Sequence, residues 1–382
     1  MLDTCSESDC ANLIGVVAQY QVGILGGGQL ARMSMIAAHQ LGVKAVSLDP
    51  DPASPAAQVG PFIVGSITLP EDIAKVMSRC EFVTFENEFI PASALREACA
   101  LAGFDPANVT PRIETLEVIQ DKLTQRRALL AHSVPSPRAV PAADARELGF
   151  PCVLKARFGG YDGKGTRYAK SEAEYLSILG EIDVQQWLAE EFVSFNRELA
   201  VMVCAGPTTS CFPAMVTEQK NHVCDLVYGV DEEDTQERAT KVAIAAVEAV
   251  KGQGLFGVEL FEHPDGRISV NEIAPRPHNS GHYSLDWGGT SQFEAHILLT
   301  LGIFGAVEKG KSTWMANLLG QEGAQDYAKA LAALTEKHPE ARMHWYGKAE
   351  AKPGRKMGHL NICHDSVDTA ARDAFYKAWV NQ

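Results

Sequence analysis

From Val22 the chain alternates short apolar runs with longer stretches of helical period. "VGIL" is followed by "QLARMSMIAAHQL", then "KAVSLD", a Pro- and Ala-rich loop, "PEDIAKVMSRC" and "FVTFE". Apolar runs without polar alternation fit strands covered on both faces, and the helical stretches between them fit the crossovers of a parallel sheet. The pattern predicts a doubly wound parallel unit over residues 21–118, behind an N-terminal extension, 1–20. The helix in "TLEVIQDKLTQRRALLAH" ends at the Pro-punctuated "SVPSP" and opens a second unit over 119–312. Its runs "PCVLKAR", "ELAVMVC" and "FGVELF" are mixed with glycine-rich turns, so it reads as α+β with antiparallel pairing. A small C-terminal unit, 313–382, carries one amphipathic helix in which Tyr327, Leu331 and Leu334 share a face. The acidic "DEEDTQE" around Asp234 reads as a solvated surface loop.

With 382 residues, 46% of them hydrophobic, the chain can bury two or three cores. No stretch approaches the roughly 20 apolar residues of a membrane helix, and the acidic "MLDTCSESDCANL" lacks the basic start of a signal peptide. A cytoplasmic protein with no membrane partner is expected. The nine cysteines form no C-x-x-C pair and read as reduced thiols. A net charge of -14 argues against nucleic acid as a partner, so any phosphate site must be a local basic cluster.

Four stretches could carry chemistry, and a fifth raises an alternative. In "VGILGGGQLARM", Gly26, Gly28 and Ala31 match G-x-G-x-x-A, and Asp49 lies where a ribose-binding acid would follow. A dinucleotide site and plain helix-on-sheet packing both fit. In "VLKARFGGYDGKGTRY", a strand ends in Lys155 and a loop with Gly159, Gly160, Gly163, Lys164 and Gly165 could wrap a polyphosphate; a hairpin with solvated lysines is the alternative. In "LFGVELFEHPDGRISVNEIAPRPHNSGH", a two-residue Asp265-Gly266 turn pairs Pro264 with Arg267 and sets Glu259 opposite Glu272. Carboxylates about 5 Å apart repel unless one is protonated or a cation sits between them; hard oxygens suit Mg²⁺, with Asn271 adding a neutral one. Two solvent-facing glutamates on an edge hairpin would look the same. In "YGKAEAKPGRKMGH", Lys348, Arg355 and Lys356 suit a phosphate monoester, or form a solvated loop. Glu190 and Glu198, in "WLAEEFVSFNRELAVMV", flank a connection that could meet a nucleobase and a ribose; two surface glutamates would look the same.

Together these stretches resemble the ATP-grasp superfamily, and within it the 5-(carboxyamino)imidazole ribonucleotide synthetases of purine biosynthesis. The resemblance runs from about Val22 to the end, through "GILGGGQLARM", "IQDKLTQ", "GGYDGKG", "GVELF", "NEIAPRPHNSGHY", "SQFEAH", "YGK" and "GRKMGHLNI". It implies an ADP-forming ligase with a lid over about 150–190, acting on ATP, bicarbonate and 5-aminoimidazole ribonucleotide through carboxyphosphate. It further implies a homodimer working with a separate mutase or carboxylase. Lys122 and Lys155 would hold ATP phosphates, with the loop from Gly160 through Tyr161, Asp162, Gly163, Lys164 and Gly165 to Thr166 over them. Glu190 and the backbone near Val193 would meet adenine, Glu198 the ribose, and Gln219 the nucleotide. Glu259 and Glu272 would carry Mg²⁺ beside Asn271. Arg276, His278 and Asn279, with Tyr161 and Asp162, would line the reaction space. Gln29, Leu30, Glu86 and Asn279 would touch the ribonucleotide, and Lys348, Arg355 and Lys356 its phosphate. The runner-up is the formate-dependent phosphoribosylglycinamide formyltransferase of the same superfamily; a silent ATP-binding subunit would have no need to keep Lys155, Glu259 and Glu272 together.

Overall fold

The computed structural model describes residues 18–159, 165–221, 223–323 and 327–380. The first layer contains β1 (Tyr20–Leu25), α1 (Gln29–Gln40), β2 (Ala45–Asp49), β3 (Phe62–Val64), α2 (Pro70–Met77), β4 (Cys80–Phe85), α3 (Ala92–Ala102) and β5 (Val109–Thr110). Its five strands are all parallel, in the order β3-β2-β1-β4-β5. Alternate residues of β1 feed opposite faces: Val22 and Ile24 pack with Ala31, Met35 and Ala38 of α1, and Leu25 packs on the side of Ile73, Val76 and Leu95 from α2 and α3. The apolar run of β1 is therefore explained by cover on both faces, as the sequence pattern predicts.

The helix predicted across "TLEVIQDKLTQRRALLAH" is two helices, α4 (Ile113–Gln120) and α5 (Lys122–Ala131). Asp121 between them is extended, at φ -95° and ψ 102°, and its carboxylate accepts from Leu123 N at 3.1 Å and Thr124 Oγ1 at 2.7 Å. The break is an N-cap, which starts a new helix at Lys122.

A second sheet follows, with β6 (Ala139–Pro141), β7 (Cys152–Ala156), β8 (Thr166–Ala169), α6 (Glu172–Leu179) and β9 (Trp187–Glu191). Its order is β6-β9-β7-β8, with every neighbour antiparallel. The third sheet contains β10 (Arg197–Ala205), β11 (Thr209–Cys211), β12 (Met215–Lys220), β13 (Val223–Gly229), β14 (Gly254–Glu262) and β15 (Ile268–Ala274), then β16 (Trp314–Leu319), β17 (Arg342–Trp345) and β18 (Lys356–Ile362). Helices α7 (Glu233–Ala249), α8 (Gln292–Thr300), α9 (Tyr327–Lys337) and α10 (Ala370–Trp379) accompany it. The order is β15-β14-β10-β12-β13-β16-β18-β17, with β11 on the side of β10. The C-terminal strands thus extend the large sheet, joined where Leu226 pairs with Ala316.

The acidic stretch around Asp234 is not a loop. Glu233 and Asp234 form the exposed first turn of α7, where the helix dipole favours negative charge. Thr235, Ala239, Ala243 and Ala246 recur at helical spacing and are buried toward the sheet core. In α9, Leu334 is buried while Tyr327 and Leu331 are half-buried, and the Tyr327 ring meets Trp345 at 4.5 Å between centroids.

Candidate active site

The β14–β15 hairpin does set Glu259 opposite Glu272, by a route other than the predicted one. Near the turn the pairs are Glu262–Ile268, Phe261–Ser269 and Leu260–Val270, one residue out of the predicted register. The loop is three residues long: His263 N donates to Arg267 O, and Gly266, at φ +80°, donates to His263 O. A three-residue loop closed by a left-handed glycine produces this offset. A bulge between Glu259 and Leu260 on one strand, facing Val270 and Glu272 on the other, makes Asn271 the extra residue and restores the pairing.

The two glutamates differ in charge state. Burial pushes Glu259 up to about 7, with Glu272 and Glu198 adding repulsion. Burial would raise Glu272 as well, but Lys122, whose Nζ lies 2.6 Å from Glu272 Oε1, and Lys155 outweigh it and hold the group below the usual carboxylate range. Asn271 Nδ2 donates to Glu259 Oε2 at 3.3 Å. Lys122 is the first residue of α5, and Arg157 fixes that end: its guanidinium grips Asp121 at 2.9 and 2.6 Å, and its carbonyl accepts from Lys122 N.

Lys155, at the end of β7, reaches Glu190 Oε2 at 2.7 Å, and Arg126 Nε takes Glu190 Oε1 at 2.7 Å. Glu190 is 3% exposed and both its oxygens are engaged, so its side chain faces the lysine rather than an open adenine pocket. Despite burial, Arg126 and Lys155 hold it down at about 2. Arg126 was not among the predicted residues, yet its signal is in the sequence: an arginine on the buried face of a helix between Leu123 and Leu129.

Arg276 makes a two-armed ion pair with Glu88, with Nη2–Oε1 at 2.8 Å, and also donates to Pro277 O. His278 lies against β14, where a Cβ at Gly257 would come within 2.5 Å of the His278 Cβ; only glycine allows that approach. Gln292, fully buried, clamps the His278 backbone by accepting from its N–H and donating to its carbonyl, both at 2.9 Å. The His278 ring stands 3.4 Å from Glu259 Oε1 and 2.8 Å from Ser280 Oγ. Burial, then Arg276 and Lys356, lower it to about 3, so the imidazole is neutral at physiological pH. Asn279 exchanges two hydrogen bonds with Asn317 of β16, at 3.0 and 2.6 Å, which ties the segment after β15 to the C-terminal strands.

At the N-terminal turn, Glu86 accepts from Gly28 N at 2.6 Å and Ala31 N at 3.0 Å, and Asp49 accepts from Gly27 N at 2.9 Å. The donors a pyrophosphate would need are taken by the chain's own carboxylates, which removes the dinucleotide reading. Glu86, predicted to touch substrate, caps α1; burial raises its pKa above the usual range. Gln29 is half-buried at that mouth, while the Leu30 side chain packs with Met33, Phe293 and Tyr346.

Val193 and Glu198 are half-buried on the connection into β10 and on β10 itself, and Glu198 pairs with Thr217 and Phe261. Gln219 is exposed on β12, opposite the bulge that leaves Asp225 of β13 as the extra residue. Lys348 Nζ donates to Lys356 O at 2.6 Å and stands 5.5 Å from the Tyr346 ring centre; exposed Arg355 donates to Glu350 O. Lys356 begins β18 close enough to Glu259 and His278 to act on both. Thr166 pairs with Lys155 across β7 and β8, and Gly165 closes that hairpin. Gly160, Tyr161, Asp162, Gly163 and Lys164 lie outside the described residues.

Two antiparallel sheets meeting over Lys122, Lys155 and a paired-glutamate hairpin, behind a parallel N-terminal sheet, define the ATP-grasp fold. The family of ATP-grasp domains matches residues 132–293, that of ribonucleotide synthetase preATP-grasp domains 19–120, and that of phosphoribosylaminoimidazole carboxylase C-terminal domains 313–373. The N5-carboxyaminoimidazole ribonucleotide synthase of Synechococcus elongatus is 39% identical over 369 residues, covering 92% of this chain and 91% of that one. The phosphoribosylaminoimidazole carboxylase of Schizosaccharomyces pombe is 37% identical over 372 residues, 92% of this chain but 66% of that protein. The crystal structure of the Aspergillus clavatus N5-carboxyaminoimidazole synthase with ADP and 5-aminoimidazole ribonucleotide superposes with a TM-score of 0.83 at 30% identity, covering 94% of this chain and 99% of that one. The chain belongs to the N5-carboxyaminoimidazole ribonucleotide synthase family.

Proposed function

We propose that this protein carboxylates 5-aminoimidazole ribonucleotide with ATP and bicarbonate, releasing ADP and phosphate, in purine biosynthesis. The observation that carries the reading is the hairpin pair: Glu259 and Glu272 face each other beside Lys122, with Lys155 close by. Two carboxylates with opposed pKa shifts and two lysines are a site for a cation and a polyphosphate together. Glu259 and Glu272 fit Mg²⁺: both are hard oxygen donors, and the proton-retaining Glu259 is a carboxylate whose charge is incompletely compensated. Among the described residues no group of three or more His, Cys, Asp or Glu gathers as a metal site, so nucleotide phosphates would complete the shell. Bound there with Asn271 beside it, the ion would supply charge neutralisation on the phosphates.

The chain's own residues account for the rest. Lys122 and Lys155 position the γ-phosphoryl group, whose transfer to a bicarbonate oxygen gives carboxyphosphate and ADP. Arg276, held by Glu88, and neutral His278 line the space for that anion. The exocyclic amine then forms its C–N bond to the carboxyl carbon as phosphate leaves, and the amine proton is lost. Lys348, Arg355 and Lys356 hold the ribonucleotide phosphate; Gln29 and the backbone at Leu30 meet the same substrate from the N-terminal layer. Val193 and Glu198 serve adenine and ribose, Gln219 the nucleotide, and the loop from Gly160 to Thr166 covers the reaction against water. We further infer a cytoplasmic homodimer working with a separate mutase or carboxylase. ADP release from the purified chain with Mg²⁺ tests the reading: it should require aminoimidazole ribonucleotide and bicarbonate. ADP release only with glycinamide ribonucleotide and formate would replace it with the transformylase reading, which Asn279 in "PRPHNSGH" disfavours.

A further inference from the structure

Arg126 sits 5% exposed at the junction of the two antiparallel sheets, and all three of its nitrogens are used. Nε holds Glu190 on β9 of the smaller sheet. Nη1 and Nη2 donate to the carbonyls of Val270 and Asn271, at 3.0 and 2.6 Å, on β15 of the larger one. Those carbonyls belong to the bulge that makes Asn271 the extra residue and turns Glu272 toward Glu259. Glu190 in turn holds Lys155. One guanidinium therefore touches the backbone that aims the metal carboxylate and the carboxylate that holds the phosphate lysine.

The charge count gives this a consequence. When Lys155 moves to a nucleotide phosphate, Glu190 loses one of its two cations. It stays ionised only if the other remains, because a buried carboxylate without a partner takes up a proton. We propose that Arg126 is a positioning residue that fixes the bulge aiming Glu272 and keeps Glu190 ionised while Lys155 transfers to the nucleotide. The inference rests on the ATP-binding reading above, and concerns how that site is made ready.

Calorimetric titration of the full chain with MgADP, in two buffers of different ionisation enthalpy, tests it. Wild-type binding at pH 7.5 should take up no proton and release at most the small fraction that Glu259 still holds there. Arg126→Met should weaken binding at least about tenfold and take up close to one proton per ADP, a signature that a loosened fold alone does not produce. Adding Glu190→Gln to that variant should recover most of the affinity and abolish the uptake. Arg126→Lys keeps a charge at Glu190 but cannot serve both carbonyls, so it should bind without proton uptake and need several-fold more Mg²⁺ for half-maximal turnover. It carries the test if the methionine variant does not fold. Wild-type affinity without uptake in Arg126→Met, or unchanged Mg²⁺ dependence in Arg126→Lys, would overturn the proposal. Failure of the unmutated protein to bind MgADP would instead remove the nucleotide reading and this inference with it.

Discussion

In the N-terminal turn, Glu86 and Asp49 meet three backbone N–H groups at 2.6–3.0 Å. In the β14–β15 hairpin, Glu259 meets another carboxylate, a long contact to Asn271 and a histidine lowered to about 3. Both places bring acids to irregular backbone, and both look like ligand sites in the sequence. The first is complete: its donors and acceptors match, so it welds α1 to the ends of β2 and β4. The second is left with a surplus of acid, Glu259 facing Glu272, that a bound cation would balance. An anion-binding motif whose amides are already capped is architecture, whereas an acid pair that holds a proton near neutral pH is a site in waiting.

Breaking the hairpin should have the largest effect. Glu272→Gln should lower the rate of ADP formation about a thousandfold while circular dichroism and melting temperature stay near wild type; near wild-type turnover would remove Glu272 from the site. Breaking the turn should do the reverse. Glu86→Ala leaves two buried amides without acceptors and should cost about 3 kcal/mol of stability in urea unfolding, with MgADP affinity retained. Gly28→Ala is a smaller version of the same test. Its Cβ would lie 2.5 Å from Glu86 Oε1, so about 1–2 kcal/mol should be lost as the cap shifts.

A pH series sharpens the contrast. The folded value of Glu259, about 7, lies above the 4.5 of an unperturbed glutamate. Below pH 4.5 the group is protonated in both states; from there to about 7 the unfolded chain releases a proton that the folded chain keeps, so ligand-free stability should fall as pH rises through that window. Glu259→Gln should flatten this fall by about 3 kcal/mol, read as melting temperature from pH 4.5 to 8. A fall as steep as wild type in that variant would assign it to another group. The smallest expected effect is none: NAD should not raise the melting temperature, because Gly27, Gly28 and Ala31 have no free amide to offer it.

Much of this was legible in the sequence. The apolar run of β1 and the small residues after it locate a strand-turn-helix, because both faces of that strand must be covered. The Glu259–Glu272 pairing was legible only in its outcome: the turn-counting rule assumed a two-residue loop and no bulge, and two opposite one-residue offsets cancelled. Asp121 reads as helix interior in the sequence, since a short acid fits the polar side of a helix as readily as an N-cap until its partner Arg157 is placed. The helix α7 is hidden in the sequence because it opens on a run of acids, Asp231 to Asp234, although the alanines behind them recur every three or four residues. Glu190 could not be told from a surface glutamate, for its burial depends on Arg126, 64 residues away in sequence. Sequence spacing reports faces and turns well; it does not report which distant charges meet.

Oxygen transfer addresses the central claim, that the lysines and paired glutamates deliver the γ-phosphoryl group to bicarbonate. In unlabelled water with ¹⁸O-bicarbonate, Mg²⁺, ATP and aminoimidazole ribonucleotide, the phosphate released should carry one ¹⁸O, visible as an isotope-shifted phosphorus resonance. Unlabelled phosphate released in step with ADP under those conditions would show water as the acceptor and contradict the account.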